Sequence, residues 1–271
     1  MVLPNFRMNR PLYTAAMQFL LNHPLLFCPV VVLFLFAGSL SGSRIRARRP
    51  AAVEQNSGSF KTLEGAVLGM LALLLGFSFA MAVNRYDLRK QLEVEEANAI
   101  GTTWLRTDTL AEPARGAERQ LLKQYVPVRL AFVAAGNDAD AVQHSLAQSS
   151  ELQARIWAIA AGDTAAHRDP VTALFVSSLN DMIDVTEKRT AALENRIPPM
   201  TWAMLLFMGF ISSALVGISV TSRSKLLLTI LPLVVGVVLA LILDLDSPRS
   251  GFIRVHQNSM TRVAEQVAAS K

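Results

Sequence analysis

The sequence predicts an all-α membrane protein with four transmembrane helices and a helical soluble domain inserted between spans two and three. Three observations lead there. Apolar residues make up 52% of the chain and charged residues 17%, a balance more apolar and less charged than that of soluble domains. The apolar residues gather in four windows, 24–40, 65–83, 200–220 and 226–243, none of which contains Asp, Glu, Lys or Arg. Each window approaches the roughly 20 residues a helix needs to cross hydrocarbon. Between the second and third windows, helical spacing runs throughout and no alternating β-branched run interrupts it.

Residues 1–23 read as an interfacial segment. Leu12, Ala15, Ala16, Phe19 and Leu20 follow helical spacing, which suits a helix lying in the headgroup plane before Pro24 turns the chain inward; an ordinary flexible terminus is the alternative. Arg7 and Arg10 before an apolar run that ends in Gly38-Ser39-Leu40-Ser41-Gly42 also admit a cleaved signal peptide. The run from Leu25 is longer than a usual signal core and a second semi-apolar stretch precedes it, which favours a retained first span, 24–42. Residues 43–63, with Arg44, Arg46, Arg48, Arg49 and Pro50, read as a basic polar loop.

Span two, 64–83, is expected to continue as one helix to about Leu110, where Glu112-Pro113 stops it. This helix opens the soluble domain, 84–197, and its inner stripe is expected to be Ala97, Ile100, Trp104 and Leu105. A second helix, 114–135, carries Leu121, Leu122, Tyr125, Val128 and Phe132 on one side. The third, capped by Asp138 or Asp140, carries Val142, Leu146, Leu152, Ile156 and Ile159 and fades at Gly162. Asp169-Pro170 starts the fourth, which is expected to reach Arg196 and lead into span three, 198–220. The five-residue loop 221–225 can only return an antiparallel helix, span four, 226–245, and residues 246–271 form a C-terminal tail.

The one cysteine, Cys28, excludes an intramolecular disulfide framework. A net charge of +5 does not point to nucleic acid, because bases routinely gather beside spans and no stripe here interleaves bases with aromatics. No phosphate-cradling glycine loop occurs, and His23, His144, His167 and His256 are scattered, so neither a nucleotide site nor a zinc site is expected, and no cofactor. Gly76-Phe77-Ser78 has the look of a nucleophile elbow but lies within an apolar helix, where the elbow's strand-turn-helix cannot form. The four apolar windows carry no Asp, Glu, His, Lys or Arg for catalysis or proton relay, and no enzymatic role is expected. Glu93, Glu95 and Glu96 read as a solvated helix face supported by Arg89 and Lys90 rather than as an acid-base pair.

Small residues are more telling. Gly65, Gly69, Ala72, Gly76 and Ala80 share one face of span two, and Gly209, Ser213 and Gly217 repeat every fourth residue on span three. Such rows let helices approach closely in lipid, within a bundle or an oligomer. Leu73, Phe77 and Met81 form the adjoining stripe and are the candidate pore constriction; a lipid-facing or bundle-facing stripe is the plainer alternative. Pro232 and Gly236 are expected to kink span four. Sidedness rests on bases near the spans. About eleven lie with the domain and the termini against about seven opposite, which favours a cytoplasmic domain, whereas density per residue favours the reverse.

Several strings resemble the bacterial membrane family labelled bestrophin-like domain. They are Asn84-Arg85-Tyr86-Asp87; Glu95-Glu96-Ala97-Asn98-Ala99-Ile100-Gly101-Thr102; Leu105-Arg106 with Asp108; Leu121-Leu122 with Tyr125 and Arg129; Arg196-Ile197-Pro198; and Leu243 through Asp244, Asp246 and Arg249 to Gly251. The resemblance implies likeness to bestrophins, pentameric ion channels with four spans, cytosolic termini and a helical cytosolic domain between spans two and three. It thereby implies a bacterial inner membrane location, a homo-oligomeric and possible pentameric assembly, and inorganic ions as the permeant partner. Fold-level likeness is an associational warrant only, so a non-conducting scaffold or sensor, whose helical domain binds a protein, stands beside the channel reading.

Overall fold

A computed structural model describes residues 21, 23–167, 169–220 and 225–270, all helix and connection with no strand among them. Nine α-helices are described: α1 (Pro24–Arg48), α2 (Pro50–Gln55), α3 (Ser57–Arg106), α4 (Ala114–Ala134), α5 (Ala139–Ala166), α6 (Pro170–Glu194), α7 (Pro199–Ser219), α8 (Lys225–Asp246) and α9 (Asn258–Ala269), with a short 3₁₀ turn at Thr107–Thr109. Four stretches, on α1, α3, α7 and α8, are long and apolar enough to cross a membrane, and the chain is an all-α, multi-pass membrane protein. Of the interfacial segment expected over residues 1–23, residues 1–20 and 22 lie outside the described residues, as do 221–224 of the loop expected over 221–225.

The chain divides into two units: residues 1–82 with 197–247, and residues 83–196 with 248–271. In the first, α1 packs against α7 and α8. Phe27, Val31 and Leu35 follow one another at four-residue spacing on the buried side of α1, and the Phe27 ring meets Trp202 edge-on at 5.5 Å between centroids. Trp202 is thus internal. The α1–α7 seam is built on glycine. A Cβ on Gly42 would stand 1.9 Å from the Ala214 carbonyl oxygen, and one on Gly217 would stand 2.1 Å from that of Ser39. The run Gly38 to Gly42, which the sequence also allowed as a cleavage site, is a small-residue packing face whose counterpart is the Gly209-Ser213-Gly217 row. On α8, Val235, Leu239, Ile242 and Leu243 are buried, and the helix continues through Pro232.

The stretch 43–63 is not the loop expected. α1 runs on to Arg48, α2 occupies Pro50–Gln55 and α3 begins at Ser57. Proline at the first position of a helix leaves no intrahelical bond unmade, so Pro50 restarts the helix rather than ending structure. Arg46 turns toward the end of α7, where its Nη1 donates to the Ile218 carbonyl at 2.9 Å, placing a cation at a helix C-terminus.

In the second unit, the membrane-distal part of α3 joins α4, α5, α6 and α9. Its core gathers Ile100, Trp104, Leu122, Tyr125, Ile156 and Phe175, among others. Asp138 caps α5 through the N–H groups of Asp140 and Ala141, both 3.1 Å away, and Asp169 caps α6 through Val171 and Thr172 at 2.7 and 2.9 Å. Four details differ from expectation. Leu105 is 57% exposed and not part of the inner stripe; α5 extends past Gly162 to Ala166; α6 ends at Glu194, with α7 opening only at Pro199; and the supposed tail forms α9, whose Met260, Val263, Ala264 and Val267 pack on the core.

Candidate functional site

Span two is the least enclosed of the four: 17% of its apolar window is buried within the chain, against 33%, 50% and 44% for spans one, three and four. The residues that do face the chain, Leu71, Ser78 and Ala82, recur at seven and four positions, one stripe of the helix. Well away from that stripe around the helix, Leu73 and Phe77 are 56% and 64% exposed and Met81 is half-buried. Gly65, Gly69 and Gly76 lie beside them with nothing among the described residues within 4 Å of where a Cβ would be. Among the described residues the glycines of the span-two row meet nothing, in contrast to Gly209 and Gly217 of span three.

Past Ala82, α3 carries most of the polar motif residues, and their positions diverge. Asn84, Asp87 and Asn98 are exposed, whereas Tyr86 is half-buried and lines a small cavity with Arg89, Arg189 and Gln257. Arg106 donates to the Leu174 carbonyl at 2.7 Å, and Asp108 pairs with Arg119. In the membrane unit, Asp244 and Asp246 are buried at the end of α8, and both carboxylate oxygens of Asp246 accept the Ile197 N–H at 3.0 Å, fixing the start of α7. Arg249 donates to the Phe132 carbonyl at 2.7 Å and lies 4.4 Å over its ring.

Glu96 is the centre of the buried polar network. Its side chain is wholly enclosed, accepts Arg129 Nε–H at 2.6 Å and pairs through its other oxygen with Arg189. Thr186 adds a hydroxyl donor at 3.2 Å, and Tyr125 and Gln153 extend the chain of bonds, each step 2.9 Å. Burial raises the Tyr125 hydroxyl above its ordinary pKa, with the Arg129 charge opposing. Glu93 is buried as well, and its Oε1 accepts the Ser259 and Met260 N–H groups at 2.8 and 3.0 Å, capping α9. The acidic run is therefore a solvated face only at Glu95, which bonds to Gln91. Sequence alone missed Arg89, Arg189 and Glu118 as buried ionisable groups; Glu118 is wholly enclosed, and desolvation raises its carboxyl to about 8.

A family model described as Bestrophin-like domain matches residues 30–260. The chain belongs to the bestrophin-like family. No curated protein matches it. Among solved structures, a bacterial bestrophin homolog from Klebsiella pneumoniae is similar at a TM-score of 0.59 and 14% identity, over 88% of this chain and 97% of that one. At that identity the likeness establishes a shared fold. Neither the constriction stripe nor the Glu96 network is assigned a role by it.

Proposed function

We propose that this bestrophin-like chain is the subunit of an oligomeric ion channel of the bacterial inner membrane, with its helical domain, 84–197, on the cytoplasmic side. The observation that supports the reading is the open face of span two. A lone span can leave Leu73 and Phe77 to lipid, but a row of three bare glycines beside them gives lipid little to pack on and a neighbouring helix much. In a ring of subunits the glycine row takes the next helix, and Leu73, Phe77 and Met81 turn to the axis as the narrowest point. Five subunits would follow the bestrophin pattern. An apolar ring of this kind blocks ions by dewetting and opens with a small rotation. No catalytic arrangement belongs to this reading; Glu96, Arg106, Asp108 and Arg249 act by holding the soluble domain together, and Asp246 by fixing the start of α7.

The test is Phe77→Ala in protein reconstituted into liposomes. A smaller side chain at the constriction widens the dry stretch, so conductance rises; unchanged conductance in a protein that conducts would remove the stripe from the pore.

A second reading, a non-conducting scaffold or sensor, is favoured by one feature. Trp157, Ala161, Thr164 and Val176 line an open apolar groove of about 490 Å³ between α5 and α6, with Leu174 54% exposed on α6. Exposed apolar patches with a cavity often take a protein partner. Purified protein that forms stable oligomers but passes no ions would favour it.

A further inference from the structure

Four arginines fall within six residues where α1 ends, Arg44, Arg46, Arg48 and Arg49, and one of them serves the protein. Arg46 reaches the Ile218 carbonyl and Glu54, the latter at 3.4 Å. Arg44, Arg48 and Arg49 are exposed, as is Lys61 early in α3, and their side chains make no bond or ion pair among the described residues. The counter-charge of this unit is spent elsewhere. Every Asp and Glu of the chain is described, and those in this unit are Glu54; Glu64, which accepts the Ser219 hydroxyl; and Asp244 and Asp246, buried at the C-terminal end of α8. The C-terminus of α1 offers about half a negative charge, too little for three guanidinium groups, and Arg44 and Arg48, four apart on one helix, repel each other. Leu33, Ala37, Arg44 and Arg48, at spacings of four, seven and four residues, share one face of α1, and all are exposed, Leu33 by 67%. Arg44 lies four residues past Leu40, the last of the apolar window, a rise of about 6 Å, whereas the headgroup layer is roughly 5–8 Å thick. The face is thus apolar at acyl-chain depth and doubly basic at phosphate depth.

We propose that the outer face of α1 holds an anionic phospholipid, its phosphodiester on the guanidinium groups of Arg44 and Arg48 and an acyl chain along Leu33 and Ala37. The planar fork of a guanidinium matches phosphate oxygens in pairs. Net charge selects the lipid: a headgroup whose only charge is its phosphate offsets the arginines, whereas choline or ethanolamine brings an ammonium among them. The apolar stretch selects lipid over free phosphate, which gains nothing from Leu33 and Ala37. The site does not depend on whether the chain conducts or on which leaflet the end of α1 faces.

The experiment uses the full chain in dodecyl maltoside micelles at constant ionic strength, unfolded by heat while phosphatidylglycerol or phosphatidylcholine is added at equal mole fraction. The expected result is a saturable rise in Tm of about 3 °C with phosphatidylglycerol, none with phosphatidylcholine or with glycerol phosphate free in solution, and no rise in Arg44→Gln/Arg48→Gln. Arg155→Gln, which removes an exposed charge from the soluble unit, keeps the rise. A rise intact in the double variant, a rise with glycerol phosphate alone, or a Tm that does not distinguish the two lipids would overturn the proposal. Should the double variant fail to fold, a photoactivatable phosphatidylglycerol applied to the natural chain decides. Crosslinks on residues 33–48 support the site, and their absence there overturns it.

Discussion

Glu96 and Arg129 meet at 2.6 Å with both side chains wholly withdrawn from water. Thirty-three residues apart, they join α3 to α4, and Arg189 from α6 closes on the second carboxylate oxygen. One carboxylate thus answers two buried guanidinium groups. Removing it leaves both uncompensated, which costs about 3–5 kcal/mol for a broken buried pair. Glu96→Ala is expected to lower the thermal stability of the detergent-solubilised protein by more than 5 °C and to expose the soluble unit to protease. A stability equal to that of the natural protein would show that the network is not structural.

Glu118 gives the soluble unit a pH dependence of definite sign. Its carboxyl is buried with neither oxygen bonded among the described residues, and Asp163 on α5 adds repulsion to desolvation, raising the pKa from 4.5 to about 8. Asp163 itself faces His167 at 3.0 Å. Because the folded state binds this proton more tightly, the contribution of Glu118 is fully present below about 4.5 and is lost as pH rises toward 8, at a slope of up to about 1.4 kcal/mol per unit. Glu118→Gln should flatten that slope and raise stability at pH 8. A natural protein whose melting temperature is constant from pH 5 to 8 would contradict the assignment.

The glycine seam predicts a contrast between two helices. Gly42→Ala puts a methyl group 1.9 Å from a carbonyl oxygen of α7, so the helices must separate and the folded yield should fall sharply. Gly69→Ala meets nothing among the described residues and should leave folding intact. Comparison of folded yield by size-exclusion chromatography in detergent checks both, and equal losses at the two sites would contradict the packing described.

Sidedness is open to direct labelling. In a Cys28→Ser background, cysteine at Ala139 should resist membrane-impermeant reagents in intact cells, while cysteine at Ser57 should react. Ready labelling at position 139 would place the helical domain on the outer side.

What could be read from the sequence divides along physical lines. Spans and caps are local: a charge-free window of about 20 residues, or Asp169 before Pro170, declares itself without knowledge of the partner. Buried charge is not local. Glu93 and Glu96 look solvated beside Arg89 and Lys90, because their true partners lie on α4, α6 and α9, far along the chain. A sign was present nonetheless: Arg129 falls in the apolar stripe of Tyr125, Val126 and Phe132, where a cation must be buried and matched. The same spacing in Met260, Val263 and Val267 marked α9 within the tail. Gly38 and Gly42 likewise offered a packing pair that reads as easily as a cleavage site. The open face of span two, by contrast, is a property of the packed chain, since only the fold reveals which glycines remain uncovered.

Whether this chain forms an oligomeric channel is decided by joining mass to transport. Protein purified in detergent is weighed by light scattering, and the same preparation is reconstituted into liposomes loaded with an ion-sensitive dye. An oligomeric channel has a mass several times that of the 29.5 kDa chain and passes a passive ion flux that scales with protein added. A monomer without flux would contradict it.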